Sequence, residues 1–365
     1  MGGIWQVVEM EGIVIVRSGG EIGIKSRPVR REYEILLLKL IRGTLRDEGV
    51  PFSQIWRDAG RVFIKTADAQ RAARLASRVF GVASASPGIA TDASMDSIID
   101  AGRAVAKGMV RGTFAVRCRR TGSHPYSSKD VAAKLGEEIL NLGRSLRVNL
   151  NDPDQEVSVE IRNDLAMIYS EVYPGPDGYP IGTQDPALGI IDETSDSVIA
   201  SWCIMKRGSP ITALSVEQEG RDMGPIMANL ASLSMWLPSR GLDCLVATAP
   251  GSLGESAFRA FSLNVADETA SMLGFGATVS GMVPESLDAL GSLSRNSRTA
   301  LIFPLIAIDA ACLQKWSSLI GLDRSRSIRY GARLHGDPVD QSQVNASLTG
   351  IRRFTVSRGR VIPKT

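Results

Sequence analysis

Apolar and polar positions follow three successive rhythms along the chain. The first stretch opens on EGIVIVR, residues 11–17, a continuous apolar run that reads as a buried strand. The Gly-rich, basic stretch SGGEIGIKSRPVRR follows it. From about Arg31 to Arg46, Leu36, Leu37, Leu40 and Ile41 recur at helical spacing. Pro51–Ile55 and Arg61–Lys65 read as strands, Ala67–Phe80 as a second helix and Phe80–Ser86 as a last strand, with Pro87–Gly88 marking its end. This order, β-α-β-β-α-β, is the split βαβ or ferredoxin-like arrangement.

The second rhythm begins with a helix near Ser94–Met109 and a strand over Thr113–Arg119, in which Phe114, Val116 and Cys118 alternate with polar residues. After TGSHPY a helix starts with Ser127 or Ser128 as its cap and carries Val131, Leu135, Ile139 and Leu142 at spacings of three to four. Strands at Glu156–Arg162 and Leu165–Tyr173 flank an Asn163–Asp164 turn, and PGPDGYPIG reads as a linker. The third rhythm alternates strands with helices. It runs Leu188–Ile191, a helix ending near Lys206–Gly208, ITALSV, a helix over Met223–Leu237, CLVATA, a helix over Ala266–Leu273, GATVSGMV and ALIFPLI. Such alternation predicts an α/β, doubly wound parallel sheet. The polar, basic tail from about Arg324 matches no element.

At 365 residues the chain is long enough for two or three domains, and the punctuation places them at 1–88, 89–181 and 182–365. Only 5% of residues are aromatic, which argues against broad stacking surfaces for single-stranded RNA. The net charge of +3 is unevenly spread. Residues 101–150 hold ten basic residues (Arg103, Lys107, Arg111, Arg117, Arg119, Arg120, Lys129, Lys134, Arg144, Arg147) against three acids, while residues 185–365 balance 17 against 17. A basic block within a folded region has the charge expected of a phosphate-contacting surface, or of a merely solvated one. Cys118, Cys203, Cys244 and Cys312 are isolated from one another, and the only histidines are His124 and His335. Neither a zinc site nor a reactive cysteine is expected, and burial is expected for Cys203, Cys244 and Cys312. Isolated thiols suit a reducing cytoplasm. No uncharged apolar run approaches the ~20 residues needed to span a membrane, so no membrane association is expected.

Three stretches carry candidate chemistry. In FAVRCRRTGSHPYSSKDV, Arg117 and Arg119 share one strand face and Arg120 lies on the other. The following helix start at Ser127, Ser128 and Lys129 offers free N–H groups to an anion. A second basic group, Lys25, Arg27, Arg30 and Arg31, sits at a helix start where the dipole disfavours cations. The third stretch, Asp192–Ser197, connects a strand to a helix where open α/β sheets bind phosphate. It has no glycine and three acids (Asp192, Glu193, Asp196), which repel a triphosphate and suit a structural helix cap. No residues stand out as catalytic or as metal ligands.

Taken in order, these segments resemble the tRNA 4-thiouridine synthetases, or tRNA sulfurtransferases. IVIVRSGGEIGIKSRPVRREYE, GRVFIK and RVFGVASASP resemble the family's ferredoxin-like domain. FAVRCRRTGSHPYSSKDVAAKLGEEIL, VNLNDPDQEVSVEIRND and YPGPDGYPIGTQ resemble its THUMP domain. The resemblance implies a third part, a PP-loop pyrophosphatase domain of the adenine-nucleotide hydrolase type. It further implies that the first two parts grip tRNA at the acceptor end, with Arg117, Arg119 and Arg120 on its phosphates. The implied reaction adenylates a uridine at tRNA position 8 with ATP and Mg²⁺, after which a sulfur donor displaces AMP.

The nucleotide loop departs from that pattern. Asp196 and Ser197 match the Asp-Ser of the family's Ser-Gly-Gly-x-Asp-Ser, and Trp202 and Lys206–Arg207–Gly208 match the helix behind it, but Asp192, Glu193 and Thr194 replace Ser-Gly-Gly. Thr194, Ser195, Asp196 and Ser197 are then the remnant of an ATP loop. ITALSVEQ lacks the family's His-Phe, TVSGMVPESL follows its Thr-Gly-Glu segment only loosely, and Phe303 stands where Arg is expected before Pro-Leu. Two readings stay open: a tRNA-binding relative serving as an accessory subunit, with a modification enzyme or sulfur donor as partner, and a divergent active sulfurtransferase in which Asp196 carries the chemistry. A different tRNA-modification activity in the same cleft is a third. The resemblance also leaves a homodimer open.

Overall fold

The computed structural model describes residues 11–58, 60–109, 111–142, 145–237, 241–284, 287–322, 333–334, 339–357 and 359–363. Arg144, His335 and the start of the tail at Arg324 lie outside them. The chain divides into two units, Met1–Asp177 and Gly178–Thr365.

In chain order the first unit comprises β1 (Glu11–Ser18), α1 (Gly20–Gly23), α2 (Arg27–Asp47), β2 (Gln54–Asp58), β3 (Arg61–Lys65), α3 (Ala69–Ala76), β4 (Val82–Asp92), α4 (Met95–Ala106), β5 (Arg111–Thr121), α5 (Ser128–Leu140), β6 (Ser145–Val148), β7 (Gln155–Arg162), β8 (Leu165–Tyr169) and β9 (Tyr173–Pro174). The helix starts follow capping chemistry. Pro28 lies in the first turn of α2, and the Asp68 and Ser94 side chains accept backbone N–H groups at the starts of α3 and α4. The ferredoxin-like order is present, but its strands do not form a separate sheet. One sheet runs β2-β3-β1-β4-β8-β7-β5-β6, with β9 also on β4.

Strand β4 joins the two halves of this sheet. It pairs along its length with β1, and through Ile89–Asp92 with β8. The expected break at Pro87–Gly88 is therefore corrected: the strand runs through it, and the boundary drawn at residue 88 falls inside β4. Pro87 lies between the segments that pair with β9 (Ser84, Ala85) and with β8, so on that side its missing N–H breaks no ladder bond. Gly88 is needed there, because a Cβ would stand 2.5 Å from the Ile168 carbonyl oxygen.

The sheet is strongly curled. β3 and β7 are four steps apart, about 19 Å in a flat sheet at ~4.8 Å per step. Arg61 of β3 nevertheless ion-pairs with Glu160 of β7, and Arg162 of β7 pairs with Asp58 of β2 at 3.0 Å. The inner face buries Ile13, Ile15, Phe63, Met167 and Tyr169 in one cluster. The other face carries α4 and α5, whose Ile98, Val131, Leu135 and Ile139 pack with Phe114 and Val116 of β5.

The second unit continues with β10 (Ala187–Ile190), α6 (Ser195–Lys206), β11 (Ile211–Gln218), α7 (Gly224–Ser234), β12 (Leu242–Ala249), α8 (Glu255–Met272), β13 (Ala277–Val279), β14 (Val283–Pro284), α9 (Leu287–Asn296), β15 (Ala300–Ile302), α10 (Ala310–Ile320), β16 (Arg333–Leu334), α11 (Gln341–Thr349), β17 (Arg352–Ser357) and β18 (Arg360–Pro363). Its main sheet runs β15-β13-β10-β11-β12-β17-β18. The first five strands are parallel, as the alternation predicts. The unplaced tail supplies an antiparallel hairpin, β17–β18, along β12. α6 packs with α7 and α10, and α8 with α11. The expected strand GATVSGMV is split into β13 and β14, and α8 begins at Glu255 rather than Ala266 because Phe258, Phe261 and Val265 extend its inward stripe. Strand order reverses between β10 and β13, which puts a topological switch point at the carboxyl ends of these two strands.

Candidate nucleotide loop and nucleic-acid interface

The chain leaves β10 at Ile190 and enters α6 five residues later, at the switch point. Thr194 is the cap residue, yet its side chain does not bond the first turn. Asp192 is the anchor instead. Its Oδ1 accepts the Thr194 N–H at 2.8 Å and the Thr194 hydroxyl at 2.5 Å. Burial pushes the Asp192 carboxyl above the usual carboxylate range, and the Thr194 hydroxyl pulls the other way. The Ser197 hydroxyl donates to the Thr194 carbonyl at 2.8 Å, and the buried Asn229 of α7 donates to the Asp192 and Thr194 carbonyls at 2.8 and 2.9 Å. The loop is thus stitched by its own side chains.

On the other side of the helix start, the link after β13 lies against the first turn of α6. A Cβ on Gly281 would meet the Ser197 nitrogen at 2.5 Å. The Asp192 carboxyl thus holds the Thr194 cap amide, and the Gly281 backbone packs against the first turn of α6. Of the four residues expected as an ATP-loop remnant, Ser195, Asp196 and Ser197 are buried at 2%, 3% and 0% exposure, and only Thr194 lines the adjoining cavity.

That cavity, about 270 Å³, lies beyond the ends of β10 and β11. Val216, Ile226, Phe258 and Met282 supply apolar wall, and Arg221 and Arg259 supply cations. The cations are already engaged. Arg221 pairs with Glu255 at 2.5 Å and Glu193 at 3.6 Å and stacks 3.9 Å from the Phe258 ring centre, while Arg259 pairs with Glu255 at 2.9 Å. Among the described residues no group of three His, Cys, Asp or Glu side chains is arranged to hold a metal ion.

In the first unit, β5 presents Arg117 and Arg119 on one face and Arg120 on the other, as the period of two requires. Arg117 pairs with Glu156 at 3.0 Å and donates to the Leu150 carbonyl at 2.7 Å. The nearby acids Glu160 and Glu138 pair instead with Arg61 and Arg103. The pair is half-exposed, so it costs little to exchange for a phosphate. Arg119 is exposed, with no ion pair among the described residues. Arg120 reaches the Gly122 carbonyl at 3.4 Å and His124 Nδ1 at 3.3 Å. His124 Nε2 lies 2.6 Å from the Asn163 carbonyl, which can only accept, so Nε2 carries the hydrogen in the neutral ring.

At the start of α5, Ser127 and Asp130 form a capping box. Ser127 Oγ accepts the Asp130 N–H at 3.2 Å, and Asp130 Oδ2 accepts the Ser127 N–H at 2.7 Å. The chain's own carboxylate takes part of the anion position expected there and leaves the exposed Lys129 and half-buried Ser128 beside it. Of the second basic group, Arg27, Arg30 and Arg31 lie on α2 and Lys25 just before it; α2 packs on α3 and β2, at the end of the strand order opposite β5. Arg27 and Arg31 are exposed, Lys25 is half-buried, and Arg30 pairs with Glu34 at 2.8 Å. Sequence reading missed a third group, Arg17, Arg61 and Arg162 around Glu160. Its signal was an arginine at the end of each of three apolar strands.

The cysteines divide by environment. Cys244 is buried. Burial pushes the Cys203 thiol up to about 12, so it stays protonated and inert. Cys312, expected to be buried, is exposed, because the inward stripe of α10 is Leu313, Ser317 and Ile320. Brief iodoacetamide treatment of the folded protein at neutral pH is expected to label Cys312 and to spare Cys203 and Cys244 until denaturant is added. Labelling of Cys203 in the native state would contradict this assignment.

The ThiI ferredoxin-like domain family matches residues 13–86, and the THUMP domain family matches residues 92–171. A protein of Methanosarcina acetivorans named "Probable tRNA sulfurtransferase" is 41% identical over 206 residues, covering 55% of this chain and 50% of that one. One of the same name from Methanosarcina mazei is 38% identical over 206 residues, covering 55% and 51%. The chain thus spans about half the length of the curated relatives it matches. Among solved structures, PH1313 from Pyrococcus horikoshii is 29% identical with a TM-score of 0.67, covering 85% of this chain and 100% of that one. A 4-thiouridine synthetase–RNA complex with bound ATP is 18% identical with a TM-score of 0.72, covering 96% and 100%, a likeness of fold. The chain therefore carries a ThiI ferredoxin-like domain followed by a THUMP domain, ahead of an α/β unit, and over about half its length it is similar to proteins named probable tRNA sulfurtransferase.

Proposed function

We propose that this chain binds tRNA through its ferredoxin-like and THUMP domains, and that its second unit has lost conventional ATP-dependent adenylation. It then works in the reducing cytoplasm as a binding or accessory subunit in tRNA modification. The RNA part rests on the THUMP match together with the exposed cations on β5 and α2. The observation that carries the second part is Asp192. Its carboxyl holds the Thr194 N–H and hydroxyl, so the chain places its own side chain where a nucleotide phosphate would bind. A phosphate entering there must displace a hydrogen-bonded carboxyl and meet Glu193 as well.

A second reading, a divergent active sulfurtransferase making 4-thiouridine, draws support from the open cavity of about 270 Å³ at the switch point. Calorimetric titration of the chain with Mg·ATP, with and without tRNA, separates the two. The accessory reading expects no saturable binding at millimolar ATP. Tight Mg·ATP binding that is lost in Asp196→Asn would establish the enzyme reading instead.

A further inference from the structure

We infer that the mouth of the curled sheet in the first unit is a phosphate-binding site, formed by Arg17, Arg61, Arg119 and Arg162 around Glu160. The choice of an RNA phosphate as its natural ligand rests on the tRNA-binding reading above. The arginines come from four strands, β1, β3, β5 and β7, and so from both domains. Arg17 is directly cross-strand from Arg61, and Arg119 from Glu160. Arg17 donates to the Ser86 hydroxyl at 2.9 Å and the Ser84 hydroxyl at 3.3 Å, and pairs with Glu160 Oε1 at 3.5 Å. Arg61 pairs with the other Glu160 oxygen. The Tyr169 hydroxyl donates to Glu160 Oε1 at 2.9 Å, and its ring lies under the Arg17 guanidinium at 5.0 Å. Arg162 stands over the Phe63 ring at 5.4 Å and pairs with Asp58, which is 60% exposed.

Four guanidinium groups thus face two carboxylates, and one of those is largely in water. The imbalance is felt inside the cluster. Burial, and after it repulsion from Arg162 and Arg17, pulls the Arg61 guanidinium below its ordinary range. A cluster whose only task were to latch the two halves together would gain from matched charge. One that holds an excess of rigidly oriented guanidinium forks, with the side chains of Arg17, Arg61 and Arg162 still about a fifth exposed, is arranged for a bidentate oxyanion. A phosphate diester or monoester carries the required oxygen geometry; a diester would offset half of the excess charge and a doubly ionised monoester all of it.

The test uses the full chain with inorganic phosphate and tRNA as probes. In spectra of ¹⁵N-labelled arginine side chains, phosphate is expected to shift the Nε–H signals of Arg17, Arg61 and Arg162 saturably, while chloride at equal ionic strength leaves them in place. Arg119→Ala with Arg162→Ala is expected to weaken tRNA binding roughly tenfold and to lower its salt slope by about two. Glu160→Gln removes the competing carboxylate and is expected to tighten phosphate binding, whereas a mere latch would only loosen. Comparing tRNA with and without its 5′ phosphate assigns the ligand: lost affinity points to the terminal monoester, unchanged affinity to a backbone diester. The inference fails if phosphate acts no differently from chloride and the double variant binds tRNA like its parent, and the tRNA reading then survives. If phosphate saturates the arginine signals but the parent binds no tRNA, the site stands and the tRNA reading fails.

Discussion

Charge reversal at Arg117 and Arg119 together, R117E with R119E, is expected to lower tRNA affinity by roughly 10- to 100-fold near 0.1 M salt and to flatten the salt dependence by about one unit per lost phosphate contact. The two positions differ. Arg119 is exposed and unpaired among the described residues, so its reversal removes one contact and adds a repulsion. Arg117 already shares its charge with Glu156 at 3.0 Å, so removing it alone also releases a carboxylate toward the RNA. R119E should therefore account for most of the flattened slope, and R117E for a loss that Glu156→Gln partly reverses. Filter binding across a salt series reads both quantities. Identical curves for parent and double variant would remove β5 from the interface.

Trp202→Ala is expected to destabilise the second unit by about 3–5 kcal/mol, the usual range for truncating a fully buried aromatic. Trp202 is 0% exposed and meets Trp236 edge-on, with ring centres 5.5 Å apart. It lies on α6, the helix that the Asp192 loop begins. The cavity left there removes the packing that holds the helix start against α7, where Asn229 anchors the loop carbonyls. Urea unfolding followed by circular dichroism should show the earlier midpoint. A loss under about 1 kcal/mol would mean that the site collapses around the missing ring.

Much of the fold was legible because local chemistry and packing agree. The alternation in Phe114, Val116 and Cys118, the cap expected at Ser127 or Ser128, and the leucine stripe of α2 each point to one element, and each forms. The misses have physical causes. Pro87–Gly88 carries a turn signature, but the proline sits between two partner strands and the glycine is held by its close approach to Ile168. The tail after Arg324 shows no periodicity, because β17 and β18 lie at the edge of the sheet, where only Val356 is deeply buried. The lack of glycine over residues 192–197 was legible. That the Asp192 side chain would hold the Thr194 N–H and hydroxyl was not, since this depends on a contact two residues away. The Arg17–Arg61–Glu160 cluster was invisible for a similar reason: its members lie up to 143 residues apart in sequence and meet only because the sheet curls.

The most direct measurement is equilibrium binding of tRNA to the unmodified chain at several salt concentrations, without any nucleotide. We predict saturable binding whose logarithm falls linearly and steeply with the logarithm of salt, and which added Mg·ATP leaves unchanged. An absence of binding at low salt, or binding that appears only when Mg·ATP is supplied, would contradict it.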